Sequence, residues 1–200
     1  MTEKLKGIAG SMAAGKTDIL IREARRCEYR RKNIAAFKPI IDDRWGSSDT
    51  IKSRSGKEFP AVAVNTPLEI LECVQQLIAM DRKPDLVAID EIQFFSPEIV
   101  DVIQVLLEAD IKVVYAGLAT DFRGEPFGSM PTLLSLSDEI IRPTAICEVC
   151  GDEATRSQRL INGEPANYTD PLIVIGDDEY EARCPKHHLV PGKPQPKINR

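Results

Sequence analysis

The sequence predicts an α/β protein: a parallel sheet with flanking helices, followed by a small C-terminal metal-binding domain. Three observations predict it. Short apolar runs that read as strands alternate with helical periodicities from Leu5 to Ala116. A glycine-containing loop separates the first strand from the first helix. Two short-spaced cysteine/histidine pairs stand near the C-terminus, outside that alternation. Alternating strands and helices imply right-handed crossovers, hence parallel strands covered on both faces. A length of 200 residues suits one domain with a small appendage. The expected division is 1–142 for the α/β domain, 143–190 for the metal domain and 191–200 for a tail.

The first strand is read at Leu5 to Ala9. The next stretch, Gly10-Ser11-Met12-Ala13-Ala14-Gly15-Lys16-Thr17, fits G-x-x-x-x-G-K-[ST], a phosphate-binding loop. Its glycines let the backbone curl with N–H groups turned towards phosphate oxygens. Lys16 brings a full charge to the β- and γ-phosphates, and the Thr17 hydroxyl is placed to ligate Mg2+. The helix expected from Thr17 to Tyr29 adds its N-terminal dipole. The context makes the fold P-loop NTPase-like.

Asn33 to Phe37 reads as a second strand closed by Lys38-Pro39. Ile41 to Lys57, rich in Asp, Ser, Arg and Gly, reads as a long surface loop. Phe59 to Val64 reads as a strand. Thr66 at the N-cap, Pro67 and Glu69 announce a helix whose inner face is Ile70, Leu71, Val74, Leu77 and Ile78. Leu86 to Ile89 is a compact apolar strand ending in Asp90-Glu91. With the phosphate loop upstream, Asp90 is expected to hold Mg2+ and Glu91 to accept a proton from an incoming hydroxyl. An acidic turn at a strand end is the plainer alternative. Pro97 to Ala109 reads as a helix capped by Ser96, and Lys112 to Ala116 as another strand.

The loop Gly117 to Gly128 follows that strand. Ligands of open α/β sheets bind beyond the carboxyl ends of strands, so this loop, Asp90-Glu91 and the phosphate loop share one crevice. Phe122 and Phe127 are candidates to stack on a base, or are ordinary core. Arg123 is a candidate phosphate contact, or a surface ion pair.

Cys147-x-x-Cys150-Gly151 and Cys184-x-x-His187 form a zinc-ribbon constellation, with His188 as the alternative fourth ligand. A redox-active pair or unconnected thiols are the alternatives. Between them, Ser157 to Leu160 and Leu172 to Ile175 read as a small β-hairpin with an excursion that closes over the crevice. Pro191 to Lys197 is Pro/Lys-rich and expected to be disordered. Cys27 and Cys73 read as buried thiols.

The net charge of −5 is mild and argues against nucleic acid as the main ligand. The one basic cluster, Arg22, Arg25, Arg26, Arg30, Arg31 and Lys32, reads as a solvated or subunit-facing surface of the first helix. No apolar run approaches a membrane span of ~18 residues, and no signal peptide is read, so a cytoplasmic protein with reduced cysteines is expected. From the residues alone, the protein is a P-loop phosphotransferase or ATPase with a zinc ribbon. A nucleotide-driven switch whose ribbon docks a partner is the other class.

The set G-S-M-A-A-G-K-T, F-K-P, S-R-S-G, D-E-I-Q-F-F, A-G-L-x-x-D-F-R-G-E-P-F-G, C-x-x-C-G, S-Q-R-L, V-I-G and Y-E-A-R-C-x-x-H resembles the type II thymidine kinases over residues 4–188. The resemblance implies transfer of the γ-phosphoryl of ATP to the 5′-hydroxyl of thymidine by a homotetramer whose zinc-bearing lasso folds over the nucleoside. By position, Glu91 resembles the general base, with Lys16 and Arg123 supporting the transferring group. Gly10 to Thr17 and Asp90, Glu91, Ile92 and Gln93 resemble ATP and Mg2+ contacts. Phe122 resembles the aromatic that stacks on thymine. Met12, Leu118, Phe127, Ser157 and Tyr180 resemble pocket-lining positions, and Leu172, Ile173, Val174, Ile175 and Gly176 the lasso segment that reads the base edge. Cys147, Cys150, Cys184 and His187 resemble the zinc ligands. The chain departs from the family pattern at Ser11, Ala13, Ala14, Ala119 and Asp177, and in a shorter turn before Tyr180.

Overall fold

The structure is a computed structural model that describes residues 4–41, 49–172 and 179–195. Its centre is a six-stranded parallel sheet. The strands are β1 (Leu5–Gly10), β2 (Ile34–Pro39), β5 (Val62–Val64), β6 (Leu86–Ile89), β7 (Lys112–Leu118) and β8 (Glu139–Ile141). Their spatial order is β5-β2-β6-β7-β1-β8, and every neighbouring pair runs parallel. The continuous apolar run of β6 follows from burial on both sides, which a parallel sheet requires. Leu86 and Ala88 face one cluster, and Val87 and Ile89 face the other.

Helix α1 (Lys16–Tyr29) covers one face through Leu20, Ile21 and Ala24. Helices α2 (Pro67–Ala79), α3 (Ile99–Glu108) and α4 (Met130–Leu136) cover the other. The inner face of α2 carries Ile70, Leu71, Val74 and Leu77 as the periodicity predicts, with Cys73 beside them, but Ile78 is a correction: in the last turn, where the helix leaves the core, it is exposed. Its N-terminus is fixed by Glu69, which accepts hydrogen bonds from the Asn65 N–H at 3.0 Å and the Thr66 hydroxyl at 3.3 Å. Among the described residues, no helix is long and apolar enough to cross a membrane.

Four local readings are corrected. Residues 49–57 are not all loop: β3 (Thr50–Lys52) pairs antiparallel with β4 (Glu58–Pro60), burying Ile51 opposite Phe59. The strand read at Phe59 to Val64 therefore splits at Ala61, and only β5 joins the main sheet. α3 begins after Glu98 rather than at Pro97 with Ser96 as its cap, because Pro97 and Glu98 form a turn that returns the Ile99 N–H to the Ser96 carbonyl. The tail is held at Pro191 and Lys193: the Tyr168 N–H donates to Pro191 O at 2.8 Å, and Lys193 Nζ donates to Arg123 O, while residues 196–200 lie outside the described ones.

The C-terminal part is all β. Strands β9 (Ala145–Ile146) and β10 (Glu153–Ala154) flank the first cysteine pair, and β11 (Arg156–Ile161) pairs antiparallel with β12 (Glu164–Pro165) and β13 (Glu179–Arg183). Among the described residues, the long partner of Ser157 to Leu160 is β13. Ile173, Val174, Ile175, Gly176 and Asp177 lie outside the described residues.

Candidate functional site

β1, β6 and β7 are adjacent, so their carboxyl ends bring Gly10, Asp90 and Leu118 to one edge of the sheet. From Gly10 the chain curls through the phosphate loop. Gly15 adopts φ 75° and caps α1, and Ala13 at the exposed tip adopts φ 59°. Lys16 folds back across the loop, its ammonium donating to Ser11 O at 2.8 Å. The charge is buried with its side chain and stands where a phosphate oxygen can take over that bond.

The Thr17 hydroxyl donates to Asp90 Oδ2 at 3.1 Å, which couples the two residues expected at Mg2+. The other oxygen of Asp90 accepts the Glu91 N–H at 3.0 Å. Glu91 sits at φ 47°, a left-handed conformation for a residue type that seldom adopts it. Such strain costs on the order of 1–3 kcal/mol and persists where surrounding structure over-determines it. Gln93 supplies part of that determination. Its amide nitrogen donates to Glu91 Oε2 at 2.5 Å, and its amide oxygen accepts the Leu118 N–H at 3.0 Å. One buried amide therefore ties the acidic pair to the end of β7.

Beside this polar corner lies an apolar wall. Met12, Leu118 and Phe127 form a buried cluster with Phe94, Leu172 and Tyr180 packed against it. Phe94 and Phe127 meet edge-to-face, centroids 5.6 Å apart at 85°. Next to it, Asp121 accepts the N–H groups of Arg123 and Glu125, each at 2.9 Å, and so shapes the loop that carries Phe122. The Phe122 ring has the Arg123 guanidinium 5.2 Å and the Arg159 guanidinium 5.3 Å from its centroid, distances at which cation–π attraction acts.

In the metal domain, the ligand atoms of Cys147, Cys150, Cys184 and His187 lie within 4.8 Å of one another. The Cys150–Cys184 sulfur separation is 3.8 Å, and His187 Nδ1 is 3.3 Å from Cys184 Sγ and 3.7 Å from Cys147 Sγ. A tetrahedron of zinc–sulfur bonds of about 2.3 Å has edges of about 3.8 Å. The donor set and its size fit zinc. Burial pushes the Cys147 thiol up, but hydrogen bonds from the backbone of Cys184, Val149 and Cys150 outweigh it and bring the thiol down to about 6. His188 is no ligand in this arrangement: its Nε2 lies 2.8 Å from Phe122 O, and burial lowers its basicity.

Several expected contacts have other partners. Arg123 donates to Asp170 O at 2.7 Å and stacks on Phe122 and Tyr168, so its guanidinium braces the loop rather than a surface ion pair. Ile92 is within the main core, and the Gln93 amide is bonded to Glu91 and to the Leu118 N–H. The Ser157 hydroxyl accepts the Met12 N–H at 3.0 Å. Cys27 and Cys73 are half-buried, with thiols pushed up by burial. Arg159, which sequence reasoning missed, is the largest fully buried side chain and donates to Pro171 O at 2.6 Å. Its signal is the run Ser157-Gln158-Arg159, three consecutive polar residues in a strand, and all three are buried and bonded.

The family model for thymidine kinase matches residues 3–188. A thymidine kinase of Coprothermobacter proteolyticus is 49% identical over 190 residues, covering 94% of this chain and 92% of the relative. A thymidine kinase of Mycoplasmoides gallisepticum is 46% identical over 191 residues, covering 95% and 83%. Among solved structures, the genome packaging NTPase B204 of Sulfolobus turreted icosahedral virus 2 aligns over 71% of this chain and 74% of its own, at 17% identity and a TM-score of 0.48.

Proposed function

The chain belongs to the thymidine kinase family, and we propose that it transfers the γ-phosphoryl of ATP to the 5′-hydroxyl of thymidine with Glu91 as general base. The observation that carries this assignment of roles is the hydrogen-bonded string Thr17–Asp90–Glu91–Gln93–Leu118. It joins the phosphate loop to the apolar wall through Glu91, a buried carboxylate held at positive φ.

In this reading the phosphate loop, Gly10 to Thr17, takes the triphosphate, and Lys16 exchanges the Ser11 carbonyl for a phosphate oxygen. Thr17 and Asp90 would hold Mg2+, which neutralises charge on the β- and γ-phosphates. Phe122 takes the thymine face, and Met12, Leu118, Phe127 and Tyr180 line the nucleoside wall. The lasso at 172–176 reads the base edge. Glu91 accepts the 5′-hydroxyl proton as the phosphorus–oxygen bond forms, with ADP leaving. Arg123 acts on the loop that carries Phe122 and meets the phosphoryl group only if Asp170 releases it. Zinc in the Cys3His set is structural. A cytoplasmic homotetramer is part of the same proposal, tested by the mass in solution.

The test is monophosphate formation from Mg-ATP and each natural nucleoside in turn. Product with thymidine and none with purine nucleosides is expected. Glu91→Gln is expected to lower kcat by roughly 10²–10⁴-fold with thymidine affinity kept. An unchanged kcat removes Glu91 from the role.

A further inference from the structure

The outer side of the phosphate loop rests on the metal domain at four of its positions. A Cβ on Gly10 would stand 2.7 Å from Pro143 O, so only glycine admits the linker that leads into that domain. The Ser11 hydroxyl donates to Ala154 O at 3.3 Å, and the Met12 N–H donates to the Ser157 hydroxyl at 3.0 Å, both buried. The Ala14 methyl belongs to an apolar cluster with Ala145, Ala154, Ala182 and two members of the Cys3His set, Cys147 and Cys184.

These contacts have a shared weakness. The cluster beneath Ala14 contains alanine and cysteine side chains only. Methyl groups bury little area, so the cluster has little hydrophobic reason to hold its shape. Ala154 lies on β10, just after the first cysteine pair, and Ser157 pairs through β11 with Ala182 on β13, the strand that leads into Cys184, so their positions follow from whatever holds Cys147 and Cys184 together. A metal in the Cys3His set does that.

We propose that zinc in the Cys147, Cys150, Cys184 and His187 set fixes the phosphate loop, so that metal loading governs triphosphate binding, with Ser11 and Ser157 as positioning residues. This rests on the reading of Gly10 to Thr17 as the ATP site. The hydroxyl of Ser157 holds the Met12 N–H from the outer side of the loop, which sets the curl of the loop before nucleotide arrives. The metal domain thereby serves both substrates: its arm the nucleoside, and its base the triphosphate.

The experiment is amide hydrogen exchange over residues 8–17 together with ATP titration, on zinc-loaded protein and after chelation. Chelation is expected to speed exchange in the loop and weaken ATP binding, each by about tenfold, the equivalent of losing one well-formed hydrogen bond. Peptides from β6 and α3 are expected to keep their protection. Ser157→Ala, measured with zinc bound, is expected to shift both readouts in the same direction by a smaller factor. Unchanged loop exchange in chelated protein and in Ser157→Ala overturns the proposal. If chelation also releases β6 and α3, Ser157→Ala decides alone: faster loop exchange supports the coupling and unchanged exchange refutes it. Failure of zinc-loaded protein to bind ATP overturns the ATP reading instead, and the exchange data still judge the coupling.

Discussion

Between the sheet and helices α2 to α4, the interior is built from Ile, Leu, Val, Phe and Tyr side chains, many wholly buried. Between the phosphate loop and the metal ligands, it is built from alanines and cysteines. Both interiors adjoin the same site, yet different forces hold them. The first has enough apolar area to fold on burial alone. The second is short of a core and has a metal-ligand set where a core would be, as small domains commonly do. Asp90 and Glu91 follow a strand on the burial-stabilised side, and Ser157 and Tyr180 stand on strands of the part built round the metal-ligand set.

The largest effect expected from breaking that contrast is at the metal. Structural zinc contributes on the order of 10–16 kcal/mol of apparent binding energy to small metal-dependent folds. Cys184→Ser is expected to lose zinc and expose residues 143–190 to limited proteolysis, while the sheet domain keeps a cooperative thermal transition. Protection of 143–190 without zinc would erase the contrast. Next is Ile103→Ala, at a wholly buried position on α3. It is expected to cost about 2–5 kcal/mol in chemical denaturation while zinc content is unchanged. Loss of zinc in that variant would mean that the two interiors stand or fall together.

A smaller effect sharpens the picture from the alkaline side. Burial pushes the Tyr115 hydroxyl up to about 12, against the partial relief of its hydrogen bond with Ser137 at 2.7 Å. An unfolded tyrosine ionises near ~10, so the unfolded chain loses this proton first and stability falls as pH rises from about 10 towards about 12. Tyr115→Phe is expected to flatten that part of the melting temperature profile. A slope as steep as in the parent protein would place the alkaline sensitivity elsewhere. The smallest effect is at the surface: the exposed Lys32–Asp85 ion pair, 2.8 Å long, is expected to leave the denaturation midpoint within experimental scatter when Lys32 is replaced by Ala.

What was legible in the sequence divides along the same line. Gly10 to Thr17, Asp90-Glu91 and the Cys/His pairs carry their chemistry in local spacing, and the structure brings each set together. Helix α2 was legible because its apolar residues repeat over several turns. The β3–β4 hairpin and α4 were not, because each is too short for a period to emerge, and α4 has Pro131 within its first turn. Least legible were contacts between residues far apart in the chain. Nothing near Ser157 or Ala154 indicates that their partners are Met12 and Ser11, and nothing near Gln93 indicates Leu118. The same holds for Arg159, whose burial follows from Pro171 and Phe122.

The position of β1 has a consequence for synthesis. This strand leaves the ribosome first among the sheet strands, yet its two neighbours are β7 and β8. Every backbone bond across the strand that launches the phosphate loop therefore waits until residues 112–141 have emerged. The loop's outer support, at Ala154 and Ser157, emerges later still. Pairings over such separations are slow, and an unpaired strand is open to wrong partners meanwhile. A nascent or truncated chain that stops short of β8 would present β1 as a bare edge, and such chains are the ones for which a cell's chaperones would be needed most.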